Sequence, residues 1–140
     1  NILKVIIKNK KFFLVDETYN SNPLSLKTAI ENFDKLDSKN FKKYLFLGDM
    51  LELGKHSIKQ HKLISKIINR TKINQVYVVG KYIKETFKGL ISTKKGKILK
   101  DKFDIIDLII KDLNNNDYLM IKGSNSTGLH KITTNLKQRI

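Results

Sequence analysis

Short apolar runs of strand length alternate along this chain with longer segments whose apolar residues recur at helical spacing. No other feature restricts the possible folds as much. The period predicts strands over 3–7 and 11–15, with Asn9-Lys10 between them suited to a tight hairpin. Asn22-Pro23 then opens a helix, with Asn22 as N-cap and Pro23 at the first helical position. In that helix Leu24, Leu26, Ala29, Ile30 and Phe33 turn toward a core, and it ends near Leu36. A strand follows over 44–47. A helix over 58–68 carries Ile58, Leu63, Ile64, Ile67 and Ile68 on its apolar face. The next strand, 76–79, closes on Gly80, and a helix runs through Ile83 and Phe87. The segment 89–100 is rich in Lys and Gly and has no clear period; Ile98-Leu99 is a candidate short strand there. A helix over 103–113, a turn over 114–117, a strand over 118–121 and a final helix over 129–136 complete the pattern.

Apolar strands alternating with amphipathic helices predict an α/β fold: a Rossmann-like, mostly parallel sheet with helices on both faces, and an N-terminal antiparallel hairpin. In such sheets ligands collect at the carboxyl ends of the strands. Three polar turns that carry Gly or Asn follow strands here, at 16–22, 48–54 and 122–128. All three are expected on that one edge.

The bulk properties narrow the class further. A chain of 140 residues suits a single domain, 1–140, and 40% hydrophobic residues suffice for a real core. The chain opens on Asn1 instead of Met, which points to a fragment or a processed product. It has no cysteine, so disulfides and thiolate metal sites are excluded. No apolar run approaches the roughly 20 residues of a membrane span. The opening stretch alternates Lys with Val and Ile and reads as strand instead of signal peptide. The expectation is a cytoplasmic monomer without membrane partners. A net charge of +15 invites a nucleic-acid reading. Against it, only Arg70 and Arg139 are arginine, and the lysines are scattered instead of gathered in one arm. Lysine lacks the planar fork that reads phosphates and bases, so no nucleic-acid partner is expected.

Several chemistries have no motif here. There is no GxxxxGK[ST] phosphate loop, no GxGxxG after a strand, no HExxH and no GxSxG elbow. His56, His61 and His130 have no metal-ligand spacing. A catalytic role would need a phosphate cradle from elsewhere.

What the chain does have is three strings. Asp16-Glu17-Thr18-Tyr19-Asn20-Ser21-Asn22-Pro23 ends a strand on two carboxylates and enters a helix through two amides. Such a turn can accept hydrogen bonds from ribose or adenine and orient anionic atoms at the helix start; equally, it reads as a well-capped connection with solvated acids. Leu47-Gly48-Asp49-Met50-Leu51-Glu52-Leu53-Gly54 has glycines for close approach and two acids, Asp49 and Glu52, that hold a loop or face a ligand. The plain alternative is that Met50, Leu51 and Leu53 plug the core and Gly54 makes a turn. Downstream, His61 reads as a helix residue with a structural hydrogen bond more readily than as a catalyst. Lys122-Gly123-Ser124-Asn125-Ser126-Thr127-Gly128 places a cation, hydroxyls and an amide at a strand end, which suits a carboxylate or phosphate. Its plain alternative is a polar loop capping the last helix.

Taken together and in this order, the strings resemble the C-terminal domain of the Mur ligase family, and the resemblance covers essentially the whole chain. The match runs through 16–23, 47–54 with His61, Val79-Gly80 and 122–126. Two positions depart from the pattern: Asn125 stands where a basic residue is usual, and Glu17 where Asp is common. The type resembled implies an ATP-dependent amide ligase of peptidoglycan and cell-wall precursor synthesis. It adds D-alanyl-D-alanine to UDP-N-acetylmuramoyl-tripeptide through an acyl phosphate. The resemblance places Asp16, Glu17, Tyr19, Asn20 and Asn22 near ATP. It places Lys122, Ser124, Asn125 and Ser126 near the incoming dipeptide, and makes Gly48, Asp49, Glu52, Gly54 and His61 a structural or ligand loop. It implies ATP and Mg2+ as cofactors, with the magnesium held by a central domain outside this chain, and it leaves no catalytic or metal residue in 1–140. The chain alone is then expected to be inactive. A folylpolyglutamate-type or other Mur ligase, and a basic nucleic-acid-binding module, are the alternatives.

Overall fold

A computed structural model describes residues 2–17 and 20–139. Six strands form one sheet in the order β1-β2-β6-β3-β4-β5. β1 (Ile2–Ile7) and β2 (Lys10–Asp16) pair antiparallel, and all other pairs are parallel. The remaining strands are β3 (Lys43–Gly48), β4 (Gln75–Val79), β5 (Lys95–Leu99) and β6 (Tyr118–Lys122). The helices are α1 (Pro23–Lys35), α2 (Ser57–Asn69), α3 (Ile83–Gly89), α4 (Ile105–Asp112) and α5 (Leu129–Lys137). The mostly parallel α/β sheet with its leading hairpin is the fold the sequence predicts.

The two-residue period of the strands sorts the core into two layers. On one face Tyr44, Phe46, Tyr77, Leu119 and Ile121 meet α4 and α5 through Ile105, Ile109, Ile132 and Leu136. On the other, Leu45, Leu47, Val76, Val78 and Met120 meet α1, α2 and α3 through Leu26, Ile30, Ile64, Ile68 and Ile83. β3 is buried along its whole length because both faces are covered. Each fully buried aliphatic side chain contributes about 1.5–3 kcal/mol. Among the described residues no helix is long and apolar enough to cross a membrane.

Three local expectations need correction, and a fourth, the candidate strand at Ile98-Leu99, is borne out and lengthened. The hairpin turn is Lys8-Asn9, with φ of 45° and 70°, and Ile7 pairs with Lys10. A two-residue turn that matches strand twist requires positive φ at both positions, and Lys8 is forced into it by the register. Leu24 is 73% exposed, Ile58 52% and Leu63 38%, so they do not join the core. They flank the stripes that α1 and α2 press on the sheet, and no third layer covers them. The helix expected over 103–113 is a 3-10 turn, Lys102–Asp104, leading into α4. Asp101 caps it by accepting from the Phe103 amide at 3.3 Å. The ambiguous 89–100 segment contains a full edge strand, β5, rich in lysine, which keeps an exposed edge from pairing with other chains.

Candidate functional site

The three motif turns leave β2, β3 and β6, and these strands are adjacent, with β6 in the middle. Asp16 pairs with Ile121, and Leu47 with Lys122, so the turns begin level with one another at the carboxyl edge. Gly48 and Gly123 make this possible. A Cβ on Gly123 would stand 3.2 Å from the Gly48 Cα and 2.7 Å from Leu129 Cδ1. Hydrogen at both positions leaves room for Leu129 of α5 to pack closely on the ends of β3 and β6.

The turn after β3 directs its functional groups inward. Asp49 is 8% exposed, and its carboxylate accepts from the amides of Lys81 (3.1 Å), Tyr82 (2.9 Å) and Ile83 (2.8 Å). Those amides open α3 and have no partner within the helix, so the carboxylate caps it and complements its dipole. Gly80, at φ 134°, approaches so closely that a Cβ would lie 2.5 Å from Asp49 Oδ1. Met50 is fully buried, and its amide donates to His61 Nε2 at 3.0 Å. His61 Nδ1 lies 2.7 Å from the Ser57 carbonyl, which can only accept, so the ring carries its proton on Nδ1. With 0% exposure, His61 is a structural hydrogen-bonding residue. Glu52 (φ 65°) and Gly54 (φ 56°) are exposed and turn the chain into α2.

The turn after β2 is built the other way. Asn22 caps α1: its Oδ1 accepts from the Ser25 amide at 2.9 Å, and Ser25 Oγ accepts from the Asn22 amide at 2.9 Å. Glu17 and Asn20 are exposed. Asp16 ion-pairs with Lys137 of α5 at 2.7 Å. Tyr19 lies outside the described residues. The backbone of this turn is gripped from the neighbouring strand. Lys122 Nζ donates to the carbonyls of Glu17 (3.2 Å) and Asn20, and Ser124 Oγ donates to the Ser21 carbonyl at 3.0 Å. Lys122 is only 3% exposed, and burial lowers its pKa while the Glu17 carboxylate offsets part of that.

The turn after β6 also reaches β3. The Ser124 amide donates to the Asp49 carbonyl at 3.0 Å, and Ser124 Oγ accepts from the Leu51 amide at 2.8 Å. Asn125 and Ser126 are exposed at its tip, in the 3-10 turn Asn125–Thr127. Gly128, at φ 77°, ends that turn and starts α5. Of the residues singled out by sequence, Glu17, Asn20, Glu52, Asn125 and Ser126 therefore present themselves to solvent, while Asp49, His61, Lys122 and Ser124 are committed within the protein. Sequence reasoning passed over Ser21, whose carbonyl ties two turns together; a buried serine before an N-cap gives no signal in a single sequence. Among the described residues, no three carboxylate or imidazole groups gather as a metal set.

Comparison with known proteins adds an independent finding. Residues 3–125 match the family model described as Mur ligase, glutamate ligase domain. Over 138 residues the chain is 32% identical to the UDP-N-acetylmuramoyl-tripeptide–D-alanyl-D-alanine ligase of Buchnera aphidicola subsp. Baizongia pistaciae, covering 97% of this chain and 29% of that one. The Bacillus subtilis ligase of the same name is 28% identical, over 96% of this chain and 30% of its own length. Among solved structures, MurF from Acinetobacter baumannii superposes with a TM-score of 0.77 at 24% identity, over 99% of this chain and 30% of that chain. MurF from Thermotoga maritima in complex with ADP gives 0.72 at 23%, over 96% and 30%. These structures establish a shared fold. The chain spans less than a third of the length of each of these proteins.

Proposed function

The chain belongs to the Mur ligase family, and from that premise we propose that it is the C-terminal domain of an ATP-dependent ligase joining D-alanyl-D-alanine to UDP-N-acetylmuramoyl-tripeptide. The observation that carries the reading is the convergence of three motif turns on one carboxyl edge, hydrogen-bonded to one another. The Buchnera and Bacillus relatives named above carry that ligase name and align along nearly all of this chain.

In this reading residues 1–140 form one domain that closes over chemistry housed elsewhere in the protein. ATP phosphorylates the terminal carboxylate of the tripeptide. The dipeptide amine attacks the acyl phosphate, and the tetrahedral intermediate collapses with loss of phosphate. In this reading the magnesium ligands belong to another domain, and the ion, when bound there, would neutralise phosphate charge. This domain's own contribution is positioning and exclusion of water. Asp16, Glu17, Tyr19, Asn20 and Asn22 are assigned to the nucleotide, with Glu17 and Asn20 offering exposed side chains. Asn125 and Ser126 offer exposed polar groups on the dipeptide-facing side, with Lys122 and Ser124 behind them. The whole protein works in the cytoplasm as a monomer on small molecules.

The test is phosphate release by the full-length protein that contains this chain, with ATP and the UDP-linked tripeptide. D-Alanyl-D-alanine should support turnover, single amino acids and glutamate should not, and the 140-residue chain alone should be inactive. Turnover with glutamate in place of the dipeptide would assign a different ligase.

A further inference from the structure

We infer that Lys122 and Ser124 are positioning residues for the turn at 16–22, holding it from behind, and are not contacts of the incoming dipeptide. The identity of what that turn faces rests on the ligase reading above; the clamp itself does not.

The argument begins with strand order. β6 lies between β2 and β3, so side chains at and just beyond its carboxyl end lie within reach of the turns on either side. Lys122 is the last residue of β6 and Ser124 follows two residues on. Most of their donors are already committed. Two of the three ammonium hydrogens of Lys122 go to the carbonyls of Glu17 and Asn20, at 3% exposure. The single hydroxyl hydrogen of Ser124 goes to the Ser21 carbonyl, and its oxygen accepts from the Leu51 amide, at 8% exposure. A dipeptide carboxylate approaching this edge would meet Asn125 and Ser126 first, because those side chains are exposed.

The bonds also fall where the turn needs them. Among the described residues the strand ladder ends at the Glu17 amide, which donates to the Ile121 carbonyl at 3.3 Å, and α1 begins at Pro23. Between these points three carbonyls, those of residues 17, 20 and 21, are held by two side chains of β6 and its turn. With the carbonyls of residues 17, 20 and 21 drawn inward, the Glu17 and Asn20 side chains lie outside. A small displacement of such groups from a reacting ligand is costly. The clamp therefore sets nucleotide affinity through residues it supports.

Two arms test this. In the full-length ligase, Lys122→Met should raise KM for ATP about tenfold while KM for D-alanyl-D-alanine stays within about twofold. In the 140-residue chain, the same substitution should speed amide exchange of the peptide spanning Glu17 to Asn22 and leave α2 and β4 protected. Should Lys122→Met fail to fold, Ser124→Ala, which keeps the lysine, should give the same pattern with a smaller change, about threefold. A rise in dipeptide KM with ATP KM unchanged would overturn the proposal, as would unchanged exchange of that peptide in the folded variants. A wild-type enzyme that does not use the dipeptide would defeat the ligase reading, while the exchange arm would still decide the clamp.

Discussion

The turns at 48–54 and 16–22 leave neighbouring parts of the same sheet edge and carry equally distinctive strings, yet they are built in opposite senses. In the first, side chains are spent inward, with Asp49 on the start of α3, Met50 in the core and His61 beneath it, while Glu52 stays exposed. In the second, the backbone is held from inside by Lys122 and Ser124, and the Glu17 and Asn20 side chains face outward. A turn that gives its polar side chains to the protein is a frame. In the 16–22 turn the carbonyls of residues 17, 20 and 21 are held from β6 and its turn, and the Glu17 and Asn20 side chains are left available for a ligand. The difference lies in where the hydrogen bonds go, and residue type alone does not reveal it.

Substitutions can break this contrast. The largest effect is expected at His61, where alanine removes two buried hydrogen bonds and leaves a cavity; about 3–4 kcal/mol should be lost, read as a fall in denaturation midpoint. Asp49→Ala follows, at about 2–3 kcal/mol, because three amides at the start of α3 lose their acceptor. In a domain of this size that is a fall in Tm of roughly 10 °C by calorimetry. If either variant kept its stability and lost only ligand affinity, the 48–54 turn would not be a frame.

A smaller effect is expected far from the motif edge, at Tyr44. Burial, helped by the Asp117 and Asp112 carboxylates, pushes its phenol from 10.0 to about 12. The folded state keeps that proton longer than the unfolded chain, so this contribution is complete below pH 10.0 and is lost as pH rises toward about 12. Lys43, Lys94 and Lys122, lowered chiefly by burial, act in the opposite sense, adding stability as pH climbs toward 10.5. Comparing Tyr44→Phe with the parent in urea at about pH 8 and about pH 11 isolates the tyrosine. The variant should lose less stability across that range than the parent does.

The two layers of the core were legible because strand and helix periods are local: alternate residues of 44–47 enter opposite faces, and Leu26, Ile30 and Phe33 fall on one stripe of α1. The width of a covered stripe is not local. Leu24 and Ile58 satisfy the helical period but sit where no neighbour arrives. That the three turns share an edge followed from parallel strands, whereas β6 as the middle strand did not, since strand order depends on crossovers that a period does not encode. The same limit hid the direction of Lys122. Lysine is ordinarily a surface residue, and here Lys43, Lys94 and Lys122 are each buried with the ammonium on two backbone carbonyls. Those carbonyls come from segments distant in sequence or from a helix end, so only the folded chain brings them to the lysine.

The contrast is sharpest where stability should not change at all. Glu17→Gln and Asn20→Ala alter exposed side chains and should leave stability within about 0.5 kcal/mol. The most direct measurement is an ATP titration of the full-length ligase carrying each substitution, beside a melting curve of the same sample. A rise in KM for ATP of about tenfold with an unchanged Tm is the predicted result. An unchanged KM for ATP in both variants would contradict the assignment of the 16–22 turn to the nucleotide.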